Sequence, residues 1–597
     1  MVCYPVLSGN IHCGAEQTLH QADWAVIAGY CALALAIGAY FAKRASKDVS
    51  EFFIAGRNLP WWIAGTSIVA TTFAADTPLM VSGLVRTQGI WGNWLWWNVL
   101  IGNMFATFFY ARLWRRANIL TDVELIELRY SGRPASILRG SLAVYHSVVR
   151  NCITMSWVIL AMVKISQEFL PWSKEVIIPV ALGLVLSYSV LSGFWGVVMT
   201  DFIQFIIAMA GSVTLAVVAI TRVGGVTVLK DRLTALPSYT PETLSLVPQI
   251  GVGQLALFTF VVYISVQWWA TGAAEGGGYI AQRLFSTRDE RHSVLASLWF
   301  TFAHYALRPW PWIVVGLVSL VVFPDLSVEQ AENAYPKMLM EFLPVGLKGL
   351  VIASLLAAFM STMDTQLNWG ASYLINDFYR RFIRKNASDR HYVLASRIAM
   401  VVIAIIGAGL AYRSESIADL WRFLFTLTSG MGLVMLLRWY WWRINAWSEI
   451  SALFTGCIVA TVLELHPRFS GAEQYALRLV LTVVVSTAVW VTVTFLTSPV
   501  PAKQLKEFYR RVRPGAGWWG PIVRTLPEVR AERRGWRDLG SWILGVISVY
   551  CAMFGIGKLV LGEYLYGVFL LIVAGIAATA VLRAVGPGRP IAKPHST

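Results

Sequence analysis

The residues that could do chemistry in this chain are oxygen-bearing side chains at mid-membrane depth. Ser361, Thr362 and Asp364 interrupt an otherwise apolar run of membrane-spanning length, KGLVIASLLAAFMSTMDTQLNWGASYLINDFYRR at 348–381, which closes on Asp377, Arg380 and Arg381. Hydroxyls and a carboxylate halfway along a lipid-spanning helix suit a small hard cation better than they suit lipid. Ser361 and Thr362 are neighbours, about 100° apart around a helix, so both can border one small cavity. The bland alternative is that each hydroxyl bonds back to a carbonyl of the preceding turn.

A second stretch carries a different signal. Residues 60–86 read PWWIAGTSIVATTFAADTPLMVSGLVR. Pro78 cannot donate to the carbonyl of Ala74 and crowds it, so the pattern predicts a helix that breaks between Ala70 and Pro78. Thr71, Thr72 and Thr77 can bond backbone groups that a break leaves free. Free backbone at membrane depth is tolerated only inside protein or along a cavity, and broken helices near the midplane are where transporters hold their ions. An ordinary proline kink is the alternative. Asp76 is a charge near the centre of the same run, costing about 2.5–3.5 kcal/mol on insertion scales, so it must face a partner or water. A structural ion pair and a ligand role are both open.

The elements that must position these residues are membrane helices. The chain has 597 residues, 57% hydrophobic and only 14% charged, against roughly 25% charge in soluble domains. Repeated apolar runs of about 20 residues each cross a hydrocarbon core. The net charge of +16 fits the positive-inside rule, and nucleic-acid binding is not expected. About fifteen spans are readable by length. A leading helix at 24–42 is followed by Lys43, Arg44, Lys47 and Arg57, and further Lys and Arg residues gather in alternate loops. That bias places the N-terminal tail 1–23 outside and the tail 585–597 in the cytoplasm. The start lacks the basic region of a cleaved signal peptide, so the first apolar run reads as a retained helix. Cys3 and Cys13 lie in the tail and could pair if it is outside; spacing does not decide it. The basic loop 498–537 reads either as a segment lying on anionic lipid or as a solvated linker.

Six motifs follow one another in order: EFFIAGRNLPWWIAGTSIVAT (51–71), TDVELIELRY (121–130), LSGFWGVVMTDFIQ (191–204), IAQRLFSTRDE (280–290), LLAAFMSTMDTQLN (355–368) and NDFYRR (376–381). Together they resemble the sodium/solute symporter family, which includes bacterial proline, sugar and sialic-acid symporters and animal sodium/glucose cotransporters. The resemblance covers about residues 24–443. It implies an all-α polytopic membrane protein with a leucine-transporter-like fold, in which ten core helices form two inverted five-helix repeats. Here the repeats would be 60–222 and 252–442, with additional helices at 446–584. It also implies a sodium site made by the carbonyls of Ala70, Phe73 and Ala358 and the hydroxyls of Ser361 and Thr362. Uncharged oxygens make such a site weak and reversible, as a transporter needs. Asp201 in TDFIQ matches a family position linked to inward sodium release, and also reads as a helix N-terminal acid. Asp364 either neutralises charge near the cation or holds helices together.

The solute would sit beside the break, against the third, sixth and tenth core helices. Candidates are Asp76, Thr77, Arg150, Tyr263, Gln267, Trp268, Trp269 and Thr428, with Thr426 and Ser429 beside the last. Arg150 lies inside an apolar span and needs an anionic partner, either Asp76 or a solute carboxylate; the sialic-acid branch is similar here. Trp and Gln would suit a sugar ring. Asp76 and Thr77 replace a glutamate–glutamine pair of galactose-type relatives, which puts a simple hexose in doubt. His304 and Arg308 read as structural. The expectation is therefore a sodium-coupled symporter in the plasma membrane, with Na+ and a small polar solute as its ligands and lipid as its surroundings. A sensor on the same scaffold and a proton-coupled transporter are the alternatives. The sequence shows no HExxH, GxSxG or clustered His, and an enzyme is not expected.

Overall fold

The computed structural model describes residues 3–5, 11–13, 19–45, 59–119, 122–189, 194–249, 254–515, 517–529 and 535–585. Almost everything in it is helix. A short antiparallel hairpin, β1 (Cys3–Pro5) with β2 (Ile11–Cys13), sets the backbone of Cys3 opposite Cys13; the side chains of both lie outside the described residues. The leading helix is α1 (Gln21–Ala45). A broken span follows, α2 (Trp61–Thr71) and α3 (Asp76–Gln88), bent by 61°. Next come α4 (94–117), α5 (Gly132–Gln167), α6 (Lys174–Ser189) and α7 (Phe194–Val223). The second half runs through α8 (Gln254–Ala270), α9 (Tyr279–Phe285), α10 (Glu290–Val322), α11 (Leu347–Ile383), α12 (Asp389–Arg413) and α13 (Ile417–Ser429). After these come α14 (Ala446–Leu465), α15 (Tyr475–Leu496), α16 (Ala502–Val512), α17 (Gly535–Val560) and α18 (Tyr564–Val585), and shorter helices lie in the connections.

Among the described residues, nine helices are long and apolar enough to cross a membrane, and the bent pair α2–α3 makes a tenth span. Their burial separates core from rim. The apolar window of α11 is 89% buried inside the protein and that of α18 only 22%, so α11 is surrounded by helices while α18 turns most of its surface outward, as a lipid-facing helix does. Helix starts follow local chemistry. Asp289 caps α10 by accepting from the His292 N–H at 2.8 Å, and Asn445 caps α14 by accepting from Trp447 and Ser448.

The rim helices are keyed onto the core by close backbone approach and indole hydrogen bonds. A Cβ on Gly557 would lie 1.7 Å from the Trp310 ring, so only glycine lets α17 seat on α10; the Trp310 indole then donates to the Met553 carbonyl at 2.7 Å. Gly432 meets the Ala270 carbonyl in the same way, at 2.0 Å from a built Cβ. Small residues at crossings are how membrane helices gain contact without a hydrophobic driving force.

The described part of the basic loop after α15 is packed on the protein through one face. Leu505, Phe508, Tyr509 and Val512 form one buried stripe of α16, and that stripe packs on the protein. Gln504 donates to the carbonyls of Glu127 and Leu128 at 2.8 and 2.9 Å. The Trp519 indole donates to the Trp439 carbonyl at 2.8 Å. The Arg129 guanidinium stacks over both Phe508 and Trp519, 5.5 and 5.0 Å from their ring centres.

Candidate functional site

The helix break falls at 72–75. Pro78 is the third residue of α3, where a missing N–H costs nothing because first-turn N–H groups have no partner inside the helix. Proline here starts a new helix and does not kink an old one. The end of α2 is tightened locally: the Phe73 N–H donates to the Ala70 carbonyl at 2.9 Å. Thr71 donates to the Ser67 carbonyl at 2.8 Å and Thr72 to that of Val69 at 2.8 Å.

Arg308 holds the break from outside. One guanidinium nitrogen donates to the Val69 carbonyl at 3.2 Å and the Thr72 hydroxyl at 3.0 Å, and the other donates to the Thr72 carbonyl at 3.0 Å. The guanidinium also lies over the Phe73 and Trp312 rings, 5.0 and 5.2 Å from their centres, and donates to His304 Nδ1 at 2.7 Å. His304 and Arg308 are structural, as read, but their place is at the heart of the site. The signal was available: a permanent charge inside an apolar run demands partners, and the carbonyls of a broken helix are such partners.

Facing the break is α11, which packs against α2. Ala358, Ser361, Thr362 and Asp364 on it are all buried, as are Ala70 and Phe73. The Thr362 hydroxyl has no hydrogen-bond partner among the described residues. Ser354, two turns earlier on the same helix, does bond back, to the Val351 carbonyl at 2.8 Å. The bland reading therefore fails for Thr362, and a buried unmade hydrogen bond costs about 1–3 kcal/mol. Asp364 accepts from the Asn368 amide at 2.8 Å. Asp201 lies on α7, and its side chain is outside the described residues.

The solute candidates divide. Asp76 opens α3, buried with 1% exposure, and neither carboxylate oxygen has a partner among the described residues. Thr77 is buried beside it. Arg150 is not joined to Asp76: it sits half-buried in a π-helical turn, Tyr145–Arg150, and the charged groups whose fields reach Asp76 are Arg308 and Glu332. The set on α8 turns elsewhere. Gln267 has both amide ends engaged, donating to the Leu95 carbonyl at 2.6 Å and accepting from the Tyr475 hydroxyl at 2.7 Å. Tyr263 packs on Tyr475, Trp268 on Phe105 and Trp542, and the Trp269 indole donates to Ser265 in its own helix. These side chains fasten α8 to α4, α15 and α17. On α13, the hydroxyls of Thr426, Thr428 and Ser429 all bond back to their own helix. Trp421, which the sequence did not single out, lies beside Asp76; its indole N–H has no partner among the described residues. Its ring lies 5.5 Å from that of Trp157 on α5. A groove of about 520 Å³ between α5, α11 and α14, lined by Tyr145, Phe378 and Phe454 among others, contains none of these residues.

A broken span and a buried, hydroxyl-bearing helix packed against it now stand together, and comparison with known proteins gives them a family. The sequence profile of the sodium:solute symporter family matches residues 52–456. The chain belongs to that family. The sodium/mannose cotransporter SLC5A10 of Bos taurus is 27% identical, over 74% of this chain and 80% of that protein. The sodium/glucose cotransporter 4 of Danio rerio is 23% identical over 89% of each. The solved structure of a Na+-coupled sialic acid symporter, substrate-bound and outward-open, superposes with a TM-score of 0.61 at 21% identity, covering 80% of this chain and 98% of that one. At that identity the likeness speaks for the fold, which is leucine-transporter-like. This symporter takes sodium as its coupling ion, as its family does.

Proposed function

We propose that this symporter imports a small polar organic solute across the plasma membrane, driven by sodium bound between the break and α11. The ligands would be the carbonyls of Ala70, Phe73 and Ala358 and the hydroxyls of Ser361 and Thr362, with Asp201 and Asp364 assisting release. The observation that carries this reading is the buried, unpartnered Thr362 hydroxyl on the helix that packs against the break. Arg308 supports it by occupying the carbonyls of Val69 and Thr72, which flank Ala70 and precede Phe73 without taking either. The solute would lie beside Asp76, Thr77 and Trp421, where α3 packs against α5, α10 and α13.

The inverted repeats are proposed at 60–222 and 252–442. Supporting them, four of the five described π-helical turns fall in matching helices of the two halves: at 106–110 and 303–307 in the second helix of each, and at 145–150 and 373–383 in the third; the fifth, at 263–267, has no counterpart. The orientation proposed is N-terminus outside and C-terminus cytoplasmic. At a potential of 100 mV one entering charge supplies about 2.3 kcal/mol, and each tenfold sodium gradient adds about 1.4 kcal/mol. Together they support accumulation of several hundredfold. Uptake into proteoliposomes with an inward sodium gradient, against potassium at the same pH, tests the reading. Uptake that ignores sodium, or follows protons instead, sinks it, and binding without any transport would favour a sensor.

A further inference from the structure

We infer that the solute presents a protonated amine to Asp76. This rests on the solute site proposed above and narrows it. Asp76 is a buried carboxylate with neither oxygen hydrogen-bonded among the described residues. The two charged groups that act on it both have other work. Arg308 donates to Val69, Thr72 and His304. Glu332 pairs with Lys164 at 3.1 Å and accepts from the N–H groups of Ile417 and Ala418 at 3.0 and 2.9 Å. Arg150, the remaining cation considered for this carboxylate, stands apart from it.

Asp76 also has an aromatic neighbour. Trp421 neighbours it, its indole N–H near enough to act on the carboxylate but outside full hydrogen-bond geometry, and the Trp421 ring in turn meets Trp157 at 5.5 Å and Phe425 at 5.8 Å. An ionised carboxylate taken out of water is costly unless a charge meets it. A sugar hydroxyl would supply donors but no charge. A solute carboxylate would set like charges together. An ammonium supplies both donors and charge, and aromatic faces attract it further. Burial alone favours the neutral acid, and an ammonium is the ligand that would hold the carboxylate ionised; a lone buried carboxyl beside an indole is thus chemically matched to a cationic nitrogen bearing N–H groups.

The experiment uses the purified full-length symporter, with melting shifts in detergent and counterflow in proteoliposomes, both in sodium. The probes are amines (proline, lysine, ethanolamine and glucosamine), neutral polyols (glucose, mannose and myo-inositol), and acids without an amine (pyruvate and succinate). At least one amine is expected to raise the melting temperature and to exchange. Its affinity should fall tenfold or more in Asp76→Asn, and several-fold in Trp421→Phe, which keeps a ring and removes the N–H. The melting shift caused by sodium alone checks that both variants fold and should persist in both. The inference is overturned if only polyols or acids act, if no probe acts, or if Asp76→Asn binds the amine within twofold of the parent. It is also overturned if Asp76→Asn alters the sodium response without solute, because Asp76 would then serve the cation. A wild-type protein that binds an amine but ignores sodium would sink the coupling reading and leave the amine assignment standing.

Discussion

Thr362 and Arg308 show how single residues define the site by what they do and do not bond. Arg308 makes charge-assisted hydrogen bonds to the last turn of α2 and to the first residue of the break, and such bonds are worth about 1.5–3 kcal/mol each. Arg308→Met is expected to lose at least about 2 kcal/mol of stability and to abolish sodium-driven uptake; Arg308→Lys should recover little, because an ammonium cannot span both carbonyls. A melting curve and an uptake assay check this, and a variant with parental values in both would show that the break holds itself. The break was legible in the sequence because Pro78 and a polar run announce it. Arg308 was legible by the same rule applied to Arg150, that an intramembrane charge needs a partner, yet nothing in the sequence says which of two distant arginines reaches the break. Trp421 was not legible, since an indole on an aromatic-rich helix looks like any other until its neighbour is known.

At the scale of elements, α16 shows where periodicity stops being informative. Leu505, Phe508, Tyr509 and Val512 have the spacing of an amphipathic helix, and the basic residues around them look ready for anionic lipid. An apolar stripe does not say whether it meets acyl chains or protein. Here it meets protein, closing over Glu127, Leu128, Arg129 and Trp439 with Trp519 fully buried behind it. Trp519→Ala is therefore expected to destabilise by roughly 3–5 kcal/mol. Lys503→Gln, on the exposed side, should stay within about 0.5 kcal/mol. Thermal melts of the two variants separate a packed strap from a lipid-facing helix, for which the tryptophan change would be mild in detergent. The polar set on α8 makes the opposite point: Gln267 and Trp268 are residue types that recognise sugars, but tertiary packing has used them to fasten α8 to its neighbours.

Across the whole molecule, buried ion clusters tie down both ends of the core. At one end Glu332 joins Lys164 to the start of α13. At the other Arg438 bridges Glu275 and Glu449 at 2.6 and 3.1 Å, with all three buried, and the Trp439 indole donates to Glu275 at 2.5 Å. Arg438→Met would strand two buried carboxylates, and removing one partner of a buried pair costs about 3–5 kcal/mol; the melting temperature should drop more than in Glu449→Gln, which leaves Arg438 paired with Glu275. The all-helical membrane class and the family fold were readable from hydropathy and motif order because each helix carries its own signal; the count was not, since about fifteen spans were expected and the described residues hold nine sufficiently long apolar helices and one bent pair. These clusters were not readable either, because they join residues from spans far apart in sequence. What would couple all of this to transport is the cation proposed to bind between the break and α11. The most direct measurement is the melting temperature of the purified protein as sodium replaces potassium at constant ionic strength, in the parent and in Thr362→Val, which keeps the shape and removes the hydroxyl. The account predicts a sodium-dependent rise in the parent and at least tenfold more sodium, about 1.4 kcal/mol, for the same rise in the variant. Coincident curves, or a parent indifferent to sodium, would contradict it.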